Sequence, residues 1–320
     1  MQMKEERTGD NSSSCKVGND QSGQNYGAGP QLFPLRSAML FFSTFAHINF
    51  QSRRMNISIK EENGFKYIES GTAGETLMLL HGLFGALSNF QGIIHRFSGQ
   101  YNVVVPILPI YEMPIFEVSV SGLVSFVTKF VDYKGYEKVH LLGNSLGGHV
   151  AQMYALAHPE RVASITLTGS SGLFESAFGT AFPKRGDYEY IKNKTAETFY
   201  DPSVASQELV DEVFGIVNDR GKAIRVIATA KSAVRHNLGD KLHKIKAPTL
   251  LVWGKQDIVT PPFVGEKFHE LIPNSQLYFL DQCGHAPMME KPEEFNAILE
   301  TFLREVVSGQ LPQNASADAA

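Results

Sequence analysis

The sequence predicts an α/β fold, a three-layer sandwich around a mostly parallel sheet with a helical insertion over one end. Three observations lead there. From Met55 onward, short apolar runs bounded by turn residues alternate with segments of helical periodicity, and strands that alternate with helices build a sheet covered on both faces. Most of these runs are continuous rather than alternating, as in strands buried on both sides of a parallel sheet. Finally, about eighty residues separate the run ending at Thr168 from the run beginning at Thr249, too many for one crossover helix.

Residues 1–54 read as a disordered or weakly structured N-terminal extension. Positions 1–31 carry too few large apolar side chains to offset the entropy of ordering. Positions 32–54 are aromatic (Phe33, Phe41, Phe42, Phe45, Phe50) and end in Arg53-Arg54. Three readings stand for them: a membrane-surface or lid-like helix, an extension without a role in catalysis, or residues ahead of a true start at Met55.

The core is expected over 55–172 and 239–308. Met55–Lys60 and Phe65–Ser70 alternate and flank Glu62-Asn63-Gly64, a hairpin signal. Thr76–Leu80, Val103–Val105, Val139–Leu142, Ser164–Thr168, Thr249–Val252 and Gln276–Leu280 follow as strands. Leu123, Phe126, Val127, Phe130 and Val131 recur at helical spacing, as do Phe295, Ile298, Leu299 and Phe302. The second of these helices has Pro292 at its start and Glu293-Glu294 in its first turn, where acids complement the helix dipole. Residues 173–238 are expected to form a helical cap, on the pattern of Leu209, Val210, Val213, Ile216 and Val217. Residues 309–320 read as a disordered C-terminal tail.

Composition bounds the function. The 320 residues are 43% apolar with a net charge of −4, which gives no protein-wide field for nucleic acid or an anionic surface. The two cysteines, Cys15 and Cys283, have no metal-ligand spacing, and a reducing compartment fits them. No apolar run approaches the roughly 18 residues of a membrane span. A soluble, cytoplasmic protein without a nucleic-acid partner is expected. No phosphate-binding loop, dinucleotide fingerprint or H-E-x-x-H is present, so neither cofactor nor metal is expected; His236 and His243 could share a helix face but lack a third ligand.

The chemistry sits at strand ends. Gly143-Asn144-Ser145-Leu146-Gly147 is G-x-S-x-G, placed between the apolar run Val139–Leu142 and the helical pattern Val150, Met153, Tyr154, Ala157. That context makes it a nucleophile elbow: a strained turn that projects the Ser145 hydroxyl, with a helix N-terminus facing any negative charge formed there. His81-Gly82-Leu83-Phe84-Gly85 follows the strand Thr76–Leu80. The backbone N–H groups of Leu83 and Leu146 are the expected oxyanion donors, and His81 is expected to buttress that loop. Asp257 follows the strand Thr249–Val252, and His285 lies in a glycine-flanked loop after Gln276–Leu280. His285 would take and return the Ser145 proton, with Asp257 holding its tautomer. Asp281 and Glu175 are fallback acids, and Cys283 is read as a packed thiol. Phe84, Asn144 and Phe178 are candidate substrate contacts, and Phe84, Phe174, Phe178 and Phe182 together favour a closed apolar pocket.

H-G-L-F-G, L-L-G-N-S-L-G-G-H-V-A, P-T-L-L-V-W-G-K-Q-D and G-H-A-P-M-M-E-K-P-E-E-F together resemble the α/β-hydrolase superfamily, in its capped esterase and C–C hydrolase branch. The resemblance runs from about Met55 to Val307. It implies an eight-stranded core, a cap inserted after the sixth strand, hydrolysis without a cofactor, and Ser145, Asp257 and His285 as the triad. The loop Leu108–Pro114 departs from the D-x-P-G-x-G-x-S turn common in the superfamily. Ala286 stands where C–C hydrolases often carry an aromatic residue. The leading expectation is therefore a hydrolase of small or medium carboxylic esters acting on a small-molecule substrate. The alternatives are C–C hydrolysis of a diketone-like acid, with Lys184, Arg185, Arg225 or Arg235 as carboxylate anchor, and a non-catalytic ligand receptor.

Overall fold

The computed structural model of the chain describes residues 58–71, 74–85, 87–174, 184–310 and 316–318, all within the compact unit Arg54–Ala320. The expectations for residues 1–54, Glu175, Phe178 and Phe182 lie outside these described residues.

The described residues open with a hairpin, β1 (Lys60–Glu62) and β2 (Phe65–Ser70). Asn63 and Gly64, at φ 50° and 79°, make its two-residue turn. Among the described residues the first strand begins at Lys60, and its three residues are exposed at the sheet edge. Then follow β3 (Thr76–Leu80), α1 (Gln91–Phe97), β4 (Asn102–Pro106), α2 (Val120–Lys134), β5 (Val139–Asn144), α3 (Leu146–Ala157) and β6 (Val162–Thr168). Three helices come next: α4 (Tyr188–Ala196), α5 (Gln207–Asn218) and α6 (Arg220–Arg235). The chain returns through β7 (Thr249–Gly254), α7 (Pro262–Leu271), β8 (Ser275–Leu280), α8 (Pro287–Glu290) and α9 (Pro292–Ser308), and β9 (Ser316–Asp318) is the last element.

The strands form one sheet in the order β1-β2-β4-β3-β5-β6-β7-β8-β9. The first two pairings, β1 with β2 and β2 with β4, are antiparallel, and all later ones are parallel. The eight strands expected are thus present, and a ninth is added. It comes from residues 309–320, expected to be a disordered tail: Ser316–Asp318 pairs with Leu277–Phe279, using the backbone groups that β8 would otherwise leave open.

Burial follows the period-two geometry of strands. In β3, Leu77 and Leu79 join Phe97, Phe295 and Phe302 on one face, while Met78 and Leu80 join Phe130, Tyr154 and Phe268 on the other. The helices between β6 and β7 start at side-chain caps. Asp187, Ser206 and Asp219 accept from the amides of Tyr190, Leu209 and Lys222, each such cap being worth about 1 kcal/mol. Helix α6 is tied to the core by the Val120 amide donating to Ser232 Oγ (3.1 Å) and by Arg225 Nε donating to the Met113 carbonyl (2.8 Å). Among the described residues, no helix is long and apolar enough to cross a membrane.

Candidate active site

Ser145 is the single residue between β5 and α3, with φ 54° and ψ −120°. A non-glycine residue on the left-handed side is strained, and here the turn aims the side chain off the end of the sheet. Close packing imposes the turn: a Cβ on Gly147 would overlap the Leu80 carbonyl at the end of β3. The Ser145 amide donates to the Thr168 carbonyl at 3.1 Å, which fixes the turn to β6.

Asp257 and His285 meet although 28 residues apart: His285 Nδ1 donates to Asp257 Oδ2 at 2.9 Å. The bond places the ring proton on Nδ1 and leaves Nε2 as the basic nitrogen. Asp257 is almost fully buried and also accepts from the amides of Val259 (2.8 Å) and Thr260 (2.9 Å) and from Thr260 Oγ1 (2.8 Å). Burial pushes its pKa up, but the His285 charge, the His285 bond and the Thr260 donors outweigh that and hold it below the usual value. For His285, burial opposes the charged form, and Asp257 and then Glu290 overcome it, so its pKa lies above 6.5.

Asn144 brings the two halves together. Its Nδ2 donates to the carbonyls of Thr168 (3.0 Å) and His285 (3.1 Å). Ser145 and His285 line the same cavity of about 690 Å³, without a hydrogen bond between their side chains. Gly82 packs beside Ser145, where an added Cβ would lie 3.3 Å from that of the serine. The amides of Leu83 and Leu146 have no hydrogen-bond partner among the described residues, and both residues line the cavity. His81 is buried, donates from Nδ1 to the Gly82 carbonyl and accepts from the Leu108 amide, both at 2.9 Å. It therefore supports the loop, and burial lowers its pKa.

A strained serine, a paired imidazole and carboxylate, and free amides at a helix N-terminus sit at one end of a mostly parallel sheet. Residues 75–212 and 214–292 match the family model of the α/β-hydrolase fold. The chain is an α/β hydrolase. It is 31% identical to a 2-hydroxy-6-oxononadienedioate/2-hydroxy-6-oxononatrienedioate hydrolase of Paraburkholderia phymatum, over 74% of this chain and 90% of that one. It is 29% identical to monoacylglycerol lipase abhd6-B of Xenopus laevis, over 76% and 80%. Among solved structures it resembles MGS-MChE2, an α/β-hydrolase enzyme from a sediment metagenome of the Mar Chica lagoon, Morocco. That match has 43% identity and a TM-score of 0.65 and covers 78% of this chain and 98% of the other.

Several expected residues of this hydrolase take other places. Asn144 lines the cavity, and its side-chain nitrogen is committed to two carbonyls, which ties it to the His285 loop. Phe84 lines the cavity. Phe174 does not: it packs edge-on against Phe263 at 5.3 Å and borders a separate cavity of about 370 Å³. None of Lys184, Arg185, Arg225 and Arg235 lines the main cavity; Arg185 and Arg225 are spent on backbone carbonyls. Asp281 is exposed and accepts from Gln256. Cys283 is fully buried, and burial raises its pKa far above the ordinary thiol value. His236 is engaged by Ser121 and Ser232, and no metal-ligand group exists among the described residues.

Sequence reasoning missed two supports. Thr260 lies three residues after Asp257 and gives it both an amide and a hydroxyl; the D-x-x-T spacing is the signal that finds it. Tyr111 donates its hydroxyl to the Leu83 carbonyl from the loop that departs from the family pattern.

Proposed function

We propose that this α/β hydrolase cleaves carboxylic esters with small or medium acyl groups by nucleophilic catalysis. The observation that carries the proposal is the Asp257–His285 pair beside the strained Ser145, at the base of a mainly apolar cavity. Ser145 Oγ attacks the acyl carbon as His285 Nε2 takes its proton. The oxyanion is met by the amides of Leu83 and Leu146. His285 returns the proton to the departing alcohol, leaving an acyl-enzyme. A water molecule, deprotonated by His285, attacks the acyl carbon and regenerates Ser145 with release of the acid. Asp257 stabilises the imidazolium in both halves.

Ile191, Leu209, Val213 and Val217 of the cap, with Ile258 and Met289 of the core, supply the apolar wall for an acyl chain. The one cationic side chain among the described lining residues is Lys194, which donates to Glu197 at 2.5 Å. The lack of a free cation among the described lining residues favours an uncharged ester over a carboxylate-bearing substrate.

A second reading is C–C bond hydrolysis of a 2-hydroxy-6-oxo-dienoate. The names of curated relatives favour it more than they favour ester cleavage: hydrolases of such diketone-like acids recur among them, including one of Comamonas testosteroni at 30% identity. Parallel assays decide between the two. A p-nitrophenyl ester series from acetyl to decanoyl and 2-hydroxy-6-oxo-6-phenylhexa-2,4-dienoate are compared by kcat/KM. The expected result is a higher value for short esters, with loss of activity in Ser145→Ala of at least about 10³-fold. A higher value for the dienoate moves the assignment to C–C cleavage, and undiminished turnover by Ser145→Ala ends both readings.

A further inference from the structure

The turn after His285 carries an acid that the reaction above does not use. Glu290 is half-buried at the end of α8. Its Oε1 accepts from the amides of Gly284 (3.0 Å) and Ala286 (3.2 Å), and its Oε2 from the amides of Gly284 (3.0 Å) and Tyr200 (2.7 Å). Two of these amides belong to the residues on either side of His285. The third belongs to the cap.

The same cap segment approaches the loop from the other side. The His285 amide donates to the Thr198 carbonyl at 2.9 Å. Gly284 lies so close that a Cβ there would come within 2.7 Å of the Thr198 carbonyl oxygen and 2.9 Å of the Tyr200 nitrogen. Thr198 and Phe199 line the substrate cavity. One carboxylate therefore joins the base-bearing loop to the wall that substrate touches. Among the described residues no cation is paired with it, and three backbone amides are its hydrogen-bond donors.

We infer that Glu290 is a positioning residue for His285, a carboxylate clamp that fixes the base-bearing loop against the Thr198–Tyr200 segment of the cap. The inference rests on the reading of His285 as general base. A negative charge beside this loop also favours the imidazolium, and Glu290 contributes in that sense to the raised pKa of His285. The ionisable groups around His285 are Asp257 after β7, Cys283 in its own loop, Glu290 on α8, and Lys291 and Glu294 just beyond; Lys194 and Glu197 face the shared cavity from the cap.

The test compares full-length wild type with Glu290→Gln, Glu290→Asp and Ser145→Ala, using p-nitrophenyl butyrate from about pH 5 to 9. Glu290→Gln is isosteric and keeps one oxygen acceptor. It is expected to give the circular dichroism and melting transition of a folded protein, a KM within about twofold of wild type, and a kcat lowered on the order of 10- to 100-fold, the cost of a displaced catalytic group. The acid limb of its kcat/KM profile moves to lower pH, which loss of a merely structural contact does not produce. Glu290→Asp retains the charge but not the reach, so its kcat falls while its acid limb stays in place. A folded Glu290→Gln protein with wild-type kcat and acid limb overturns the inference. Full activity in Ser145→Ala strikes instead at the triad reading on which it rests.

Discussion

At the scale of residues, the chemistry depends on how a few polar groups are committed. Asp257 spends both oxygens on four donors, one of them His285 Nδ1, so the imidazole cannot rotate or exchange tautomers without breaking that bond. Asp257→Asn removes the charge and offers the ring the wrong partner, and a loss in kcat on the order of 10⁴-fold is expected from steady-state assays. The sign of the pH response follows from the same pair. His285 must be neutral to act as base, and its folded-state pKa is raised. Activity is therefore low below that pKa and rises as pH passes through it, with the midpoint of the kcat/KM acid limb above the ordinary histidine value of about 6.5. In Asp257→Asn the midpoint of any residual activity moves down. Both midpoints are read from rate profiles at constant ionic strength.

Elements hold these residues at the right places, and here the sequence was most legible. Ser145, Asp257 and His285 each follow a continuous apolar run, and each run is a strand of one parallel array ending at the same rim. The G-x-S-x-G pattern required its two glycines for packing reasons: Gly147 abuts the Leu80 carbonyl, and Gly143 abuts the backbone of Gly147 and Gly148. Helices α5 and α9 were readable because their apolar positions recur along one face and their ends carry Ser206 and Pro292. The ninth strand was not readable: Ser316–Asp318 pairs through backbone groups and has no apolar signature. The roles of Asn144, Glu290 and Tyr111 were equally hidden, because each depends on which carbonyl or amide a distant segment brings within reach. None of Lys184, Arg185, Arg225 and Arg235, the cations the cap segment offers as a carboxylate anchor, is among the described residues that line the main cavity. On the proposed ester reading, the inner face of the cap limits acyl-chain length. Val213 of α5 lines the cavity, and Val213→Trp fills part of it. The expected outcome is a loss of about tenfold or more in kcat/KM for octanoyl and decanoyl esters, with the acetyl ester within about twofold of wild type, measured on the same ester series.

Among the described residues, two large apolar clusters pack on the two faces of the sheet, with charged groups clustered toward its β1–β2 edge. One cluster centres on Glu69 of β2, which accepts from Lys60 (2.9 Å), Lys134 (3.0 Å) and Tyr136 (2.9 Å). Burial pushes its pKa up, but these donors prevail and lower it to about 2. A carboxylate with a depressed folded-state pKa stabilises the fold above its unfolded value of about 4.3 and loses that contribution as pH falls toward about 2. Solvent screening limits the effect to about 1 kcal/mol, or about 2–4 °C for a domain of this size. Glu69→Gln is therefore expected to lower the melting temperature by that amount at pH 7 and to melt together with wild type near pH 2, as followed by calorimetry.

The covered sulfur of Cys283, two positions before His285, has its own consequence for such titrations. Its proton stays bound far into alkaline conditions, so no second anion switches on beside the imidazole while the imidazole itself ionises. An inflection near neutrality is then not the titration of this sulfur, and reagents that seek thiolates are expected to leave Cys283 unmodified while the fold is intact.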